Sequence, residues 1–269
     1  MEAIHLVLNP NFCEKYYRVC ADKFNVPDRS AILVYSNEYG MMEKPDLNKV
    51  FSNIAKNSKY NYVLIIGKGD YDLEIDEIPA NLKRVYCNNY VYETNGSKVR
   101  FFPMGRDYRS VKSFYLTDPN SDKDILCYCN FSLTTHKSRP TIYNMLKDKP
   151  FIQFEHMGKF LKYSISRDEF FKKLNRSKFV ICPRGAGRDS YRFYDSIYCG
   201  AIPIVVREKF HSYFDDLPIL FLDKVSDYKR LTTEFLEEQY TKLIKKKKDY
   251  YKELDFKWWL ERVHTDLSE

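Results

Sequence analysis

Short apolar runs of strand length alternate with stretches of helical periodicity along most of the chain. In the first half, residues 3–8, 31–35 and 60–66 are largely apolar runs of strand length, and the intervening residues 13–24 and 45–56 carry apolar positions at helical spacing. That alternation predicts βαβ units and a parallel sheet. Residues 84–87 and 99–102 add two short strands, set apart by turn-forming residues at Asn88, Asn89 and 94–97, and this half closes near Tyr115.

Residues 117–124 are polar, contain Pro119 and have no periodic apolar position, so they are the expected linker. Alternation then restarts, with strands at 125–131, 151–154, 178–182 and 202–206 and helices at 141–147, 167–175 and 188–199. A short strand at 219–222, a long amphipathic helix at 232–251 and an aromatic piece around Trp258 and Trp259 complete the chain. The expected division is an N-terminal α/β domain over 1–118 and a C-terminal α/β domain with trailing helices over 119–269. Two such domains, each Rossmann-like, are expected to face a cleft bounded by the carboxyl ends of strands, where α/β proteins take ligands. The GT-B arrangement of glycosyltransferases and the arrangement of periplasmic-type binding proteins both fit. No basic flank followed by a signal-type apolar run opens the sequence, which disfavours the second.

Composition changes this picture little. Hydrophobic residues at 44% and charged residues at 30% belong to an ordinary folded protein. The 23 Tyr and 19 Phe favour strands and offer stacking surfaces for bases and sugar rings, although most must be core. A formal net charge of +7 points to an anionic ligand or to a merely basic surface, and Lys245, Lys246, Lys247 and Lys248 are expected on a solvated helix face. No run approaches the length of about 18 apolar residues that spans a bilayer. Seven cysteines, two of them (Cys127 and Cys129) inside a strand pattern, suggest neither a disulfide framework nor a zinc site. A cytoplasmic protein without membrane insertion is expected.

The chemistry concentrates in residues 179–206, an apolar strand, a Gly loop, a helix and a second strand. Gly185 and Gly187 let the backbone approach a ligand, and Asp189 or Ser190 is placed to cap the helix, leaving its first N–H groups for an anion. Arg184, Arg188 and Arg192 bring three guanidinium groups to the region, the last two spaced one turn apart on the expected helix. These features make a cradle for a diphosphate. Gly-Ala-Gly alone would mean no more than a tight strand-to-helix connection.

The wider pattern is more specific. Pro183-Arg184-Gly185, Ser190, Arg192-Phe193, the acidic Asp195 and Cys199-Gly200-Ala201-Ile202-Pro203-Ile204 resemble the C-terminal donor-binding domain of the exostosin-like glycosyltransferases. The resemblance is specific over 177–206, looser over 124–251 and architectural before that; Asp195 stands where Glu is usual. In compactness the chain is similar to exostosin-like enzymes of large algal viruses (chloroviruses), a xylosyltransferase of a capsid glycan among them, which implies work in a host cytoplasm. The resemblance implies a GT-B fold and a UDP-sugar, UDP-xylose first, as co-substrate held by the second domain. It also implies transfer to a glycan hydroxyl with inversion, and no metal or other cofactor. Donor contacts then fall to Arg139, Arg184, Gly185, Gly187, Arg188, Ser190 and Arg192, with Asp195 on a ribose hydroxyl. Arginines and a helix N-terminus suit the charge that develops on a departing diphosphate.

Arg139, just before Pro140 at a helix entry, is placed either for a phosphate contact or for simple solvation. A general base is expected from the first half: Asp70 or Asp72, which follow the apolar run 60–66, or else Asp107 after the strand at 99–102. The histidines show no metal or triad spacing, His156 lying nearest the expected base pocket. Two other functions compete, a nucleotide-sugar or glycan-binding module without catalysis and a basic nucleic-acid binder, and no nucleic-acid motif supports the latter. Nothing in the sequence sets an oligomeric state.

Overall fold

The computed structural model describes residues 17–18, 30–35, 47–56, 58–67, 72, 75, 77–89, 98–155 and 165–268. They form two compact units. The first contains a five-stranded parallel sheet of β1 (Tyr17–Arg18), β2 (Ser30–Tyr35), β3 (Tyr62–Gly67), β4 (Leu82–Cys87) and β5 (Val99–Phe101), side by side in chain order. Every residue of β3 is buried, as its unbroken apolar run requires of a strand covered on both faces. Helix α1 (Leu47–Lys56) sets Val50 and Ile54, one turn apart, into an apolar cluster with Leu64, Ile66, Leu82 and Val85. The expected helix over 13–24 is overturned at Tyr17–Arg18, which pair with β2 as a strand; its other residues, and the strand expected at 3–8, lie outside the described residues.

The second unit is built on β6 (Ile125–Cys129), α2 (Ser138–Leu146), β7 (Ile152–Phe154), α3 (Arg167–Arg176), β8 (Ser177–Ile181), α4 (Tyr191–Tyr198), β9 (Ile202–Val206), β10 (Leu220–Leu222) and α5 (Thr233–Leu243). Its strands are parallel in the order β7-β6-β8-β9-β10, so the chain winds to one side after β6 and to the other after β8. Cys127 and Cys129 are both fully buried in the β6 core, with burial raising their thiols. Gly200 ends α4 at φ +69, and a Cβ there would stand 2.3 Å from Pro119 O, so only glycine fits.

Three features depart from the pattern read along the chain. The polar stretch 117–124 is tied into the second unit: Asp118 N–H donates to Asn175 Oδ1 (3.1 Å), Ser121 Oγ to Asn175 O (2.6 Å) and Lys123 Nζ to Cys199 O (2.6 Å). The units divide instead after Gly105, and the chain rejoins the first at Lys252. The helix expected over 232–251 stops at Leu243, followed by a short 3-10 turn over Ile244–Lys246. In a continued helix Lys245 and Lys248, three residues apart, would be like-charged neighbours, whereas here Lys246 Nζ reaches Asp215 O (2.7 Å) and Lys247 Nζ reaches Pro119 O (2.8 Å). The terminal aromatic piece is helix α6 (Phe256–Ser268), part of the first unit. Trp259 is fully buried, edge-on to Phe101 (5.8 Å) and Phe102 (6.0 Å), and Tyr86 Oη donates to Asp266 Oδ2 (2.6 Å).

His211, in the 3-10 turn Lys209–Phe214, accepts the Glu208 N–H at Nδ1 (2.8 Å) beneath Phe210 and Phe221. Burial holds this imidazole down to about 3. Between that value and the free value of about 6.5 the unfolded chain binds the proton and the folded one does not. Its stabilisation is therefore complete above about pH 6.5 and lost as pH falls toward 3. Urea unfolding of wild type and His211→Asn across pH 7 to 4 is expected to show a steeper acid loss for the wild type; parallel curves would refute this.

Candidate functional site

β6 and β8 are neighbours, with Cys127 opposite Phe179, and their connections leave in opposite directions. Their carboxyl ends therefore frame the switch point where doubly wound sheets take ligands. Two segments emerge there, 130–137 after β6 and 182–190 after β8. Pro183 has no N–H to continue the β8 ladder, so the chain leaves the sheet at that residue.

Arg139, buried in the first turn of α2, joins the two segments. Its Nε donates to Arg184 O (2.8 Å), Nη2 to Pro183 O (3.1 Å) and Nη1 to Ser132 O (3.0 Å). Its bonds go to loop carbonyls, so it is neither a solvated helix-entry residue nor a group held out for phosphate alone. A Cβ on Gly185 would approach Nη2 to 3.3 Å, which makes the glycine part of the same clasp. Burial, and then the nearby Arg192 charge, lower the Arg139 guanidinium to about 9.

Arg192, in the first turn of α4, lies over the Phe170 ring at 5.9 Å. Its Nε is buried with no hydrogen-bond partner, and it forms no ion pair among the described residues. A buried donor without an acceptor is costly and calls for a partner, a water or an ion among them. Arg184 is half-buried and bonds Ala186 O through Nη2 (3.2 Å). Ser190 is the N-cap of α4 but makes no side-chain capping bond. Cationic groups and an uncapped helix start thus gather at the switch point of the second unit.

Arg188 does something different. α4 begins at Tyr191, three residues later than expected, so Arg188 and Arg192 do not share a helix face. Asp189 does not cap the helix either: its Oδ2 accepts the Met104 N–H (2.7 Å), while the N–H groups of Arg188 and Asp189 donate to Asn89 Oδ1 (2.7 and 3.2 Å). Gly187–Asp189 consequently belongs to the first unit. There Arg188 forms a two-point ion pair with Asp72, Nε to Oδ1 at 2.9 Å and Nη2 to Oδ2 at 3.0 Å. An expected donor ligand and an expected base are partners of one another.

Two further acidic candidates, Asp195 and Asp107, are buried in the second unit. Asp195 accepts from Arg106 Nε at 3.0 Å, with side chains 2% and 0% exposed. The carboxylate expected on a ribose is thus committed to a buried guanidinium. Burial lifts its carboxyl to about 6 against the pull of Arg106. Arg106 also bonds Thr117 Oγ1 (3.0 Å) and is covered by the rings of Phe114 (3.6 Å), Tyr198 (4.7 Å) and Phe171 (5.2 Å). Asp107 is likewise buried and pairs with Arg167 Nη2 at 3.2 Å. Asp70 and His156 lie outside the described residues. Among the described residues no group of three or more His, Cys, Asp or Glu is disposed to hold a metal ion. The sequence reading missed Arg106; its one signal was an Arg-Asp pair directly after a strand, of which only the Asp was considered.

Two α/β units, each built on a parallel sheet, belong to a fold of the GT-B type. A crystal structure of an alpha1,3-fucosyltransferase superimposes over 88% of this chain and 78% of its own with a TM-score of 0.51 at 13% identity. A GtfA/B complex structure covers 91% of this chain and 58% of its own at a TM-score of 0.49 and 8% identity. Residues 108–216 match the family model described as the RXYLT1 C-terminal domain. An Arabidopsis thaliana protein named as a probable glycosyltransferase is 27% identical over 116 residues, which are 40% of this chain and 23% of that protein. The chain thus spans about a quarter of the curated relative it matches; the family-model match falls on the second unit, and the two together support similarity to the exostosin-like family. No helix among the described residues is long and apolar enough to cross a membrane.

The Arg106–Asp195 pair generates a stability test. Asp195→Ala leaves a buried, uncompensated guanidinium and is expected to cost about 3–5 kcal/mol in urea unfolding. Adding Arg106→Met should recover part of that loss; a double variant no more stable than the single one would show that the two charges are not coupled.

Proposed function

We propose that this protein is a glycosyltransferase whose second unit binds the diphosphate of a nucleotide-diphosphate sugar through Arg192 and Arg184 at the start of α4. The observation that carries the reading is the buried Arg192 Nε without an acceptor, close to a second guanidinium, Arg139, whose own bonds go to carbonyl groups. A dianionic diphosphate supplies both the missing acceptors and the missing charge. Similarity to the RXYLT1 C-terminal domain and to a plant protein named as a glycosyltransferase supports the same class.

In this reading the donor is a UDP-sugar, UDP-xylose first, and the acceptor a glycan hydroxyl. As the glycosidic bond to the diphosphate breaks, negative charge grows on the leaving oxygen. Guanidinium groups fixed beforehand stabilise that charge more than they stabilise the intact donor, which is how they lower the barrier. They do so without a divalent ion, and inversion follows from direct attack of the acceptor oxygen on the opposite face of the sugar. Arg139 and Gly185 hold the loop, and Asp195 serves the site by fixing α4 through Arg106. The general base is an acidic residue of the segment after β3; Asp72 acts once its carboxylate leaves Arg188.

Titration calorimetry in EDTA checks the donor site. UDP is expected to bind, and Arg192→Ala to weaken it by about 1.5–3 kcal/mol, the worth of a hydrogen bond to a charged group. Unchanged UDP affinity in a folded Arg192→Ala protein would remove the proposed cradle. Asp72→Asn should leave UDP affinity intact and slow transfer by about 100-fold or more. Full transfer by that variant takes the base away from Asp72.

A further inference from the structure

β7 flanks β6 on the side away from β8, and Glu155 follows it directly. The Glu155 N–H donates to Cys129 O (3.1 Å), carrying the β6–β7 pairing one residue beyond the strand and fixing Glu155 at the carboxyl edge of the sheet. Its carboxylate is 20% exposed and stands 3.6 Å from Lys173 Nζ, also 20% exposed. Lys173 lies on α3 three residues after Phe170, the ring under Arg192. Phe170 in turn packs against Tyr128 at 6.4 Å. The Tyr128 hydroxyl feels Glu155 and Arg192 with opposite sign. One buried aromatic pair is therefore flanked by the Arg192 guanidinium, whose Nε lacks a partner, and by a carboxylate–ammonium pair whose side chains are each 20% exposed.

A separation of 3.6 Å is longer than a direct N–H···O bond, so both heads keep capacity for other partners. A carboxylate accepts from two neighbouring hydroxyls and an ammonium donates to a third oxygen, which is the complement of a sugar ring rather than of a phosphate. We propose that Glu155 and Lys173 bind hydroxyl groups of the donor's sugar and so determine which nucleotide sugar is accepted. This rests on the donor site proposed above, because the sugar reaches Glu155 only when its diphosphate is held at Arg192.

The test compares UDP with UDP-xylose, UDP-glucose, UDP-galactose and UDP-N-acetylglucosamine on the full chain. Glu155→Gln is expected to weaken the UDP-sugar that wild type binds best by about tenfold to 100-fold, leaving UDP within about twofold. Lys173→Met should weaken the same ligand less. Glu155→Asp, which keeps the charge, replaces the first variant if that one fails to fold. Equal weakening of UDP and UDP-sugar, or no weakening of either, overturns the inference. So does unchanged UDP-sugar affinity with slowed transfer, the mark of a general base. Failure of wild type to bind UDP is a separate outcome that removes the donor site itself, and this inference with it.

Discussion

The clasp of Arg139 on three carbonyls is the constraint on which the rest of the second unit's site depends. Parallel strands deliver their loops to one edge of the sheet but do not fix the shape of those loops. Here a single planar group with its donors in a fixed fork does so, binding Ser132 after β6 and both Pro183 and Arg184 after β8. Lysine has one nitrogen at that depth and cannot span three acceptors in different directions. The clasp also favours Gly185, since a Cβ there would press on Nη2 at 3.3 Å and push the guanidinium by a few tenths of an ångström. Pro183, Arg184 and Gly185 are thus adjacent for linked reasons: one ends the ladder, one lends its carbonyl, and one makes room.

Burying Arg139 puts positive charge at the switch point before any ligand arrives, and Arg192 adds to it. Two like charges in partly desolvated surroundings raise each other's cost, and the depressed Arg139 value reports this. The opposite solution appears elsewhere in the same unit, where Arg106 meets Asp195 directly and its guanidinium face is covered by aromatic rings. That pair neutralises its own charges, although Arg106 Nη1 is itself buried without a hydrogen-bond partner. The charges of Arg139 and Arg192 meet no carboxylate among the described residues, and the proposed donor site rests on that difference.

Much of the second unit was legible in the sequence because its strands and helices are set by local pattern. The apolar run before Pro183, the turn residues after it and the apolar run after Gly200 place β8, α4 and β9 within a few residues. What each charged side chain does was not legible, because partners lie far away along the chain. Asp72 is 116 residues from Arg188, and Asn89 is 99 residues from it. Those distant acceptors hold residues 188 and 189 ahead of α4, which begins only at Tyr191, and no helical periodicity could reveal that. The lysine run 245–248 misled in the other direction: helical spacing was present, but like charges and carbonyl acceptors at Asp215 and Pro119 favour a broken helix.

Arg184, Arg188 and Arg192 recur at intervals of four and invite one common role. The structure assigns them three. Arg184 lends its carbonyl to the clasp as well as its side chain to the loop, and Arg188 is neutralised in the first unit by Asp72. Arg192 alone combines a buried nitrogen lacking an acceptor, a place in the first turn of a helix and an aromatic floor. Charge count is therefore a poor guide to an anion site. The informative quantity is how much positive charge remains after the protein's own acceptors have been served, and by that measure Arg192 is what supports the proposed donor site.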